Sequence, residues 1–183
     1  RIEILTQPVE NYRYQEGSFW SEEEHSIERI QSQLSGENIS ILAGQTITLE
    51  GAMSESPGSI EILAGMGIYI VDGTNESSSS STFDYSSGGV FGNSESEDEQ
   101  SKKTELVRTL IKAGKSLVIR TEVMGNIVLR AVDFRSDGIV EIEANNGAIE
   151  FKLGKELDFY SYSYESEDVA TFKMEGKGHQ IET

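Results

Sequence analysis

The chain has 183 residues, no Cys, only two His, and 15 Lys plus Arg against 32 Asp plus Glu, a formal charge of −17. Without thiols there are no disulfides, thiolate nucleophiles or Cys-ligated zinc or iron–sulfur centres, and His25 and His179 alone leave no three-His metal site. The acidity excludes nucleic acid as a principal partner, because every approach to phosphate adds like charge.

No apolar run approaches the roughly 18 residues of a membrane-spanning helix. The chain opens on Arg rather than Met, so an excised segment of a longer protein is expected. Eighteen Gly against two Pro point to a β protein with many tight turns.

Residues 1–4 hold the first apolar-x-apolar pair, Ile2/Ile4, and match the end of a later module. Residues 5–35 differ in character: rich in Ser, acid and aromatics, they alternate at Tyr12/Tyr14 and pass through Phe19-Trp20. Residues 36–71 then carry four short pairs, Ile39/Ile41, Ile47/Leu49, Ile60/Ile62 and Ile68/Ile70. Such alternation signals strands, because successive side chains point to opposite faces.

Residues 72–113 return to the Ser, acid and aromatic character, with Phe83/Tyr85, Phe91 and the acid run Glu95–Glu99. Residues 114–153 repeat the four pairs as Leu117/Ile119, Ile127/Leu129, Val140/Ile142 and Ile149/Phe151. Residues 154–183 begin a third spacer with Phe159 and Tyr160/Tyr162/Tyr164.

The two copies lie 78 to 81 positions apart, and within a copy equivalent pairs recur after 21 to 23 residues. Gly and Asn separate most pairs, as tight corners require. A period near twenty fits one coil of a parallel β-helix, in which equivalent strands stack about 4.8 Å apart and like side chains stack inside. The expected fold is therefore all-β: a right-handed parallel β-helix with two coils per module, from which the spacers emerge as long hairpins. Ala52-Met53 and Val132/Phe134 are candidates for a third face of each coil. An antiparallel sandwich ranks second, since it needs no equal coil period.

The string SQLSGENISILAGQTITLEGA, followed by GSIEILAGMGIYI, resembles the haemagglutinin repeat of bacterial filamentous haemagglutinin-type exoproteins, a family that includes effectors of contact-dependent growth inhibition. Leu42-Ala43-Gly44 and Leu63-Ala64-Gly65 match its Ala-Gly corners, and residues 104–120 resemble its spacer returning to a coil pair. The second copy departs from the pattern, with Arg120-Thr121 and Glu143-Ala144-Asn145 at those corners. The resemblance implies two-partner secretion through an outer-membrane pore, a bacterial cell-surface location, and a long fibre used for adhesion or for delivering a toxin to neighbouring cells. Its partners would be neighbouring coils of the same long chain and a cell-surface receptor or glycan.

The candidate ligand-binding residues are the spacer aromatics Tyr12, Tyr14, Trp20, Phe83, Tyr85, Phe91, Tyr160, Tyr162 and Tyr164. Aromatics flanked by polar groups suit carbohydrate and protein recognition. The competing reading is a packing ladder between modules. Glu61 and Glu141 occupy matching positions, and a pair of outward acids suggests a polysaccharide-acting enzyme. With no Lys or Arg recurring beside them, a solvated outer face is the stronger expectation. His25 and His179 read as surface residues, the acid runs as weak divalent-ion binders without a specific loop. No cofactor and no enzymatic activity are expected.

Overall fold

The computed structural model describes residues 1–87, 93–168 and 171–182, with side-chain surroundings through residue 165. The described residues are all-β, with no helix. They divide into two compact units: residues 1–8, 29–74 and 106–154 form the first, and residues 9–28, 75–105 and 155–183 the second.

Unit 1 holds three parallel sheets. The first orders β1 (Ile2–Ile4), β6 (Thr46–Glu50), β9 (Gly67–Val71), β14 (Ile127–Arg130) and β17 (Ile149–Lys152). The second orders β4 (Gln33–Ser35), β7 (Met53–Ser56), β12 (Thr109–Ala113) and β15 (Val132–Ser136). The third orders β5 (Ile39–Ala43), β8 (Ser59–Ala64), β13 (Ser116–Thr121) and β16 (Ile139–Ala144). From β4 onward the chain visits the second, third and first sheets in that fixed order four times.

The apolar pairs explain the register. Ile2, Ile47, Ile68, Ile127 and Ile149 align in one column across the first sheet. Ile39, Ile60, Leu117 and Val140 align across the third, with Ile41, Ile62, Ile119 and Ile142 beside them. Slipping one strand by one residue would turn its whole apolar set to solvent, so the register is strongly specified. The inward residues of the three sheets meet in a single cluster that includes Ile47, Ile62 and Ile111. Among the buried polar residues Ser54, Ser56, Thr109 and Thr121, Ser54, between Leu34 and Ile111, has a hydroxyl without a hydrogen-bond partner.

The second sheet lies where Ala52-Met53 and Val132/Phe134 suggested a third face, but β4 and β12 fall in stretches that the sequence assigns to spacers. Gln33-Leu34-Ser35 offers one apolar residue, and Leu110 and Ile111 are adjacent rather than alternate. In β12 burial does alternate through Thr109, Ile111 and Ala113, but a polar first member and the intervening Leu110 blur the pattern in sequence.

Corners are held across levels. Asn38 Oδ1 accepts from Ser59 N at 3.0 Å, and Asn126 Oδ1 from Ala148 N at 2.9 Å. At Gly125, φ is +130° and an added Cβ would run into the Met66 carbonyl, so the corner admits only glycine.

Unit 2 is one sheet of six strands in sequential order: β2 (Gln7–Glu16), β3 (Trp20–Ile30), β10 (Gly73–Ser86), β11 (Ser94–Val107), β18 (Leu157–Asp168) and β19 (Thr171–Glu182). The β3/β10, β11/β18 and β18/β19 pairs are antiparallel. Where side chains are described, no residue of this unit is buried.

Candidate functional site

The spacer aromatics all belong to unit 2, and the strand registers assign them to faces. Ser79 and Ser101 hydroxyls meet at 2.8 Å, so those residues share a face. Trp20 lies directly opposite Phe83 on that face, and Tyr160, Tyr162 and Tyr164 lie opposite Ser101, Glu99 and Glu97. Tyr85 follows Phe83 by two residues and points the same way. Tyr12 and Tyr14 belong to the reverse face with His25: the Tyr12 and His25 rings are 6.5 Å apart, and His25 Nε2 meets Glu10 Oε1 at 2.8 Å. The nine-residue set proposed from sequence is therefore not one surface. Phe91 lies outside the described residues, as do the surroundings of the His179 side chain.

Most of these rings are open. Tyr12 is 62% exposed and Trp20 45%. Besides the Tyr12–His25 contact, Phe19 meets Tyr85 edge-on at 5.6 Å. Trp20 closes over Gly17 in the β2–β3 turn, where a Cβ would collide with the indole, and Gly17 N donates to Trp20 O at 2.7 Å. That contact ties Trp20 to forming the turn.

The tyrosine hydroxyls engage acids. Tyr162 donates to Glu97 Oε1 at 2.9 Å, and Tyr14 to Glu16 Oε2 at 2.8 Å. Each carboxylate holds its partner's phenol pKa above the ordinary tyrosine value. Tyr160 is also raised, by desolvation first and then by Glu99. A shallow hollow of about 420 Å³ is lined by residues that include Tyr12, Arg13, Glu24, Ser77, Ser79 and Ser101, with Arg13 and Glu24 3.6 Å apart; none of Tyr14, Tyr160 and Tyr162 lines it.

Charge separates sharply between the units. Unit 2 contains 20 acids and six bases, a net −14, whereas unit 1 contains 12 acids and nine bases, a net −3.

In unit 1, Glu61 and Glu141 do stand in one outward column, but Val118 lies between them, so they are two levels apart and not a pair. Ser40 donates to Glu61 at 3.4 Å. No base recurs at both acids, but one stands beside the second: Arg120 pairs with Glu141 and reaches Glu143 at 2.9 Å. Those residues are 21 to 23 positions apart, so only the stacking brings them together. This partly paired ladder has the form of a solvated outer face.

A second hollow in unit 1, about 810 Å³, is lined by Glu37, Glu55, Lys112, Arg135 and Asp137. Its charges are largely spoken for: Lys112 meets Glu55 at 2.6 Å, and Arg135 meets Asp133 at 2.6 Å. Among the described residues, no group of three or more acids or His is placed to hold a metal ion.

Two buried-edge ion pairs were not foreseen from sequence. Arg29 Nη1 meets Glu50 Oε1 at 3.0 Å and donates to Thr6 Oγ1 at 3.2 Å, while its Nε donates to the Thr74 carbonyl at 2.9 Å. Asp72, only 4% exposed, pairs with Arg130. Glu50 and Arg130 each directly follow an apolar-x-apolar pair, which is the local signal that was available.

Comparison with protein-family models, with curated proteins and with solved structures finds no match.

Proposed function

We propose that unit 1 is a segment of right-handed parallel β-helix, and that the chain serves as a structural stalk of a secreted bacterial cell-surface fibre used in adhesion or contact-dependent toxin delivery. The observation that carries this reading is the fourfold repetition of strand order through three parallel sheets, with apolar residues aligned level by level. Each circuit buries its core against its neighbours, so stability accumulates along the axis and length can grow without a new fold. The resemblance of residues 32–70 to haemagglutinin repeats supplies the fibre, the two-partner secretion pore and the cell-surface location. The absence of Cys suits passage of an extended chain. We assign no catalytic role, because Glu61 and Glu141 are separated by Val118 and Arg120 neutralises the second.

A second reading has its own support. The open rings of Tyr12, Tyr14 and Trp20 lie in unit 2, where no residue with a described side chain is buried, which favours a receptor- or glycan-binding module. A titration of labelled chain on bacterial and host cells, with a heat-unfolded control, separates the two. The stalk reading expects no saturable binding from a chain with a β-rich circular dichroism spectrum. Saturable binding that disappears on unfolding would replace it with recognition.

A further inference from the structure

One face of unit 2 sets acids between rings. Trp20, Phe83, Glu97 and Tyr164 form a row on four neighbouring strands: Trp20 is opposite Phe83, and Glu97 is opposite Tyr164. The Ser79–Ser101 and Ser87–Asn93 hydrogen bonds fix the pairing of β10 with β11 and so set Phe83 opposite Glu97. The next row on that face runs Glu22, Ser81, Glu99 and Tyr162. Trp20, Phe83, Glu97 and Glu99 are all exposed. Neighbouring strands lie about 4.8 Å apart, so Phe83 and Tyr164 flank Glu97 at one strand spacing on either side. The two rows are two residues apart, roughly 6.8 Å along the strand.

We infer that this face docks an arginine-bearing, extended segment of a protein partner, with one arginine on Glu97 between Phe83 and Tyr164 and a second on Glu99 beside Tyr162. The inference rests on the recognition reading above and gives its partner a chemistry. A carboxylate between two rings suits a guanidinium, which is planar, offers a fork of donors to the acid and lays its faces against aromatic side chains. Glu97 accepts from the Tyr162 hydroxyl at 2.9 Å, which holds the carboxylate in place and leaves it lone pairs for further donors. An extended segment repeats its side chains at the same interval of roughly 6.8 Å, so arginines at alternate positions match the step from Glu97 to Glu99.

Charge decides the occupant. Unit 2 carries −14 with all six of its bases counted, so it repels an acidic protein, an acidic polysaccharide and a second copy of itself, and attracts a basic partner. The bases among the described residues of this face are already engaged: Arg13 lies 3.6 Å from Glu24, and Lys103 meets Glu105 at 2.5 Å. The reverse face provides a contrast within the same sheet. There Asp98 has Thr82 and Ser163 as its cross-strand neighbours, so its charge stands without a ring on either side.

Fluorescence anisotropy of a labelled peptide of alternating Arg and Ser, titrated with the full chain, tests this. Binding should saturate, and the same peptide with Lys for Arg should bind at least about threefold more weakly. Glu97→Gln combined with Glu99→Gln should weaken binding by about tenfold or more, because both charge-assisted contacts go. Phe83→Leu keeps the apolar bulk but loses the ring, and should cost about threefold. Glu23→Gln combined with Asp98→Asn removes equal charge from the reverse face and should change affinity by less than about twofold. All variants should keep the circular dichroism spectrum of the parent chain.

Equal losses in the two double variants, or equal affinity for the Arg and Lys peptides, would reduce the contact to net charge and overturn the inference, as would a peptide that does not bind saturably. Repeating the cell titration with excess Arg peptide separates this from the recognition reading. Saturable cell binding that the peptide leaves untouched keeps recognition and overturns the arginine partner. Displacement by the peptide supports both. A chain that binds the peptide through Glu97 and Phe83 but binds no cell supports the docking face and refutes recognition on those cells.

Discussion

Ile62 and Tyr12 both lie on β-strands with alternating side chains, yet one is fully buried and the other is 62% exposed. The contrast holds for the two units as wholes. Unit 1 stacks short parallel strands so that three sheets share a core, and its outward charges nearly cancel. Unit 2 lays long antiparallel strands side by side in a single sheet, buries nothing that is described, and carries most of the negative charge. Apolar-x-apolar spacing gives a core only where a second sheet faces it. Where aromatics alternate with Ser and Glu, backbone pairing and cross-strand contacts must hold the sheet, at roughly 0.2–1 kcal/mol per side-chain pair. The difference teaches that folding stability resides in unit 1, whereas unit 2 is free to vary its surface.

The largest expected effect tests that division directly. Ile62 is fully buried within the Ile41–Ile62–Ile119 column, so Ile62→Ala leaves a cavity flanked above and below. It should cost about 2–5 kcal/mol. Tyr12→Ala removes one exposed ring contact and should cost less than about 1 kcal/mol. Urea denaturation followed by circular dichroism measures both. Equal costs would erase the distinction, because unit 2 would then bear as much of the stability as the core.

An intermediate effect is expected where unit 1 buries charge. Arg130→Ala strips the partner from the Asp72 carboxylate, which is only 4% exposed. The Arg130 side chain is itself 42% exposed, so water can partly replace it, and the loss should be about 1–3 kcal/mol rather than that of a fully enclosed pair. Asp72→Asn in the same background should recover part of it. If the double variant is no more stable than Arg130→Ala alone, the stranded charge is not what the first substitution costs.

How much of this was legible in the sequence depends on the range of the signal. The Ile39/Ile41 and Leu117/Ile119 strands were legible because period two is local and Gly corners punctuate it. The 21-residue return from Ile39 to Ile60 also carried the stacking, since equivalent strands must recur at equal intervals. Gln33–Ser35 was hidden because it offers a single apolar residue, and Thr109–Ala113 because its inward set begins with a threonine and is interrupted by Leu110. The aromatics were legible as alternating runs, but their division between two faces was not. That division follows from cross-strand registers such as Trp20 to Phe83, 63 residues apart, which no local pattern encodes. Arg120 was missed as a partner of Glu141 and Glu143 for the same reason.

The smallest effect concerns the phenols of unit 2. Hydrogen bonding to Glu97 holds the Tyr162 pKa above the ordinary value, and desolvation with Glu99 does so for Tyr160. A raised folded-state pKa means that the folded sheet retains the proton where the unfolded chain has lost it. The contribution is therefore fully present below the ordinary tyrosine pKa near 10.0 and is lost as pH rises through the raised folded value. Near neutral pH the sheet should be indifferent to pH on this account, and alkaline conditions should loosen it. Absorbance of the phenolate checks the cause: among the seven tyrosines, a fraction should titrate late, and Glu97→Gln should return part of that fraction to the ordinary range. Glu61→Gln, on the outward face of unit 1, should leave the curve alone. If Glu97→Gln changes nothing, the Tyr162–Glu97 contact is not held in solution. The exposed sheet would then have one cross-strand contact fewer, which makes the contrast with unit 1 still sharper.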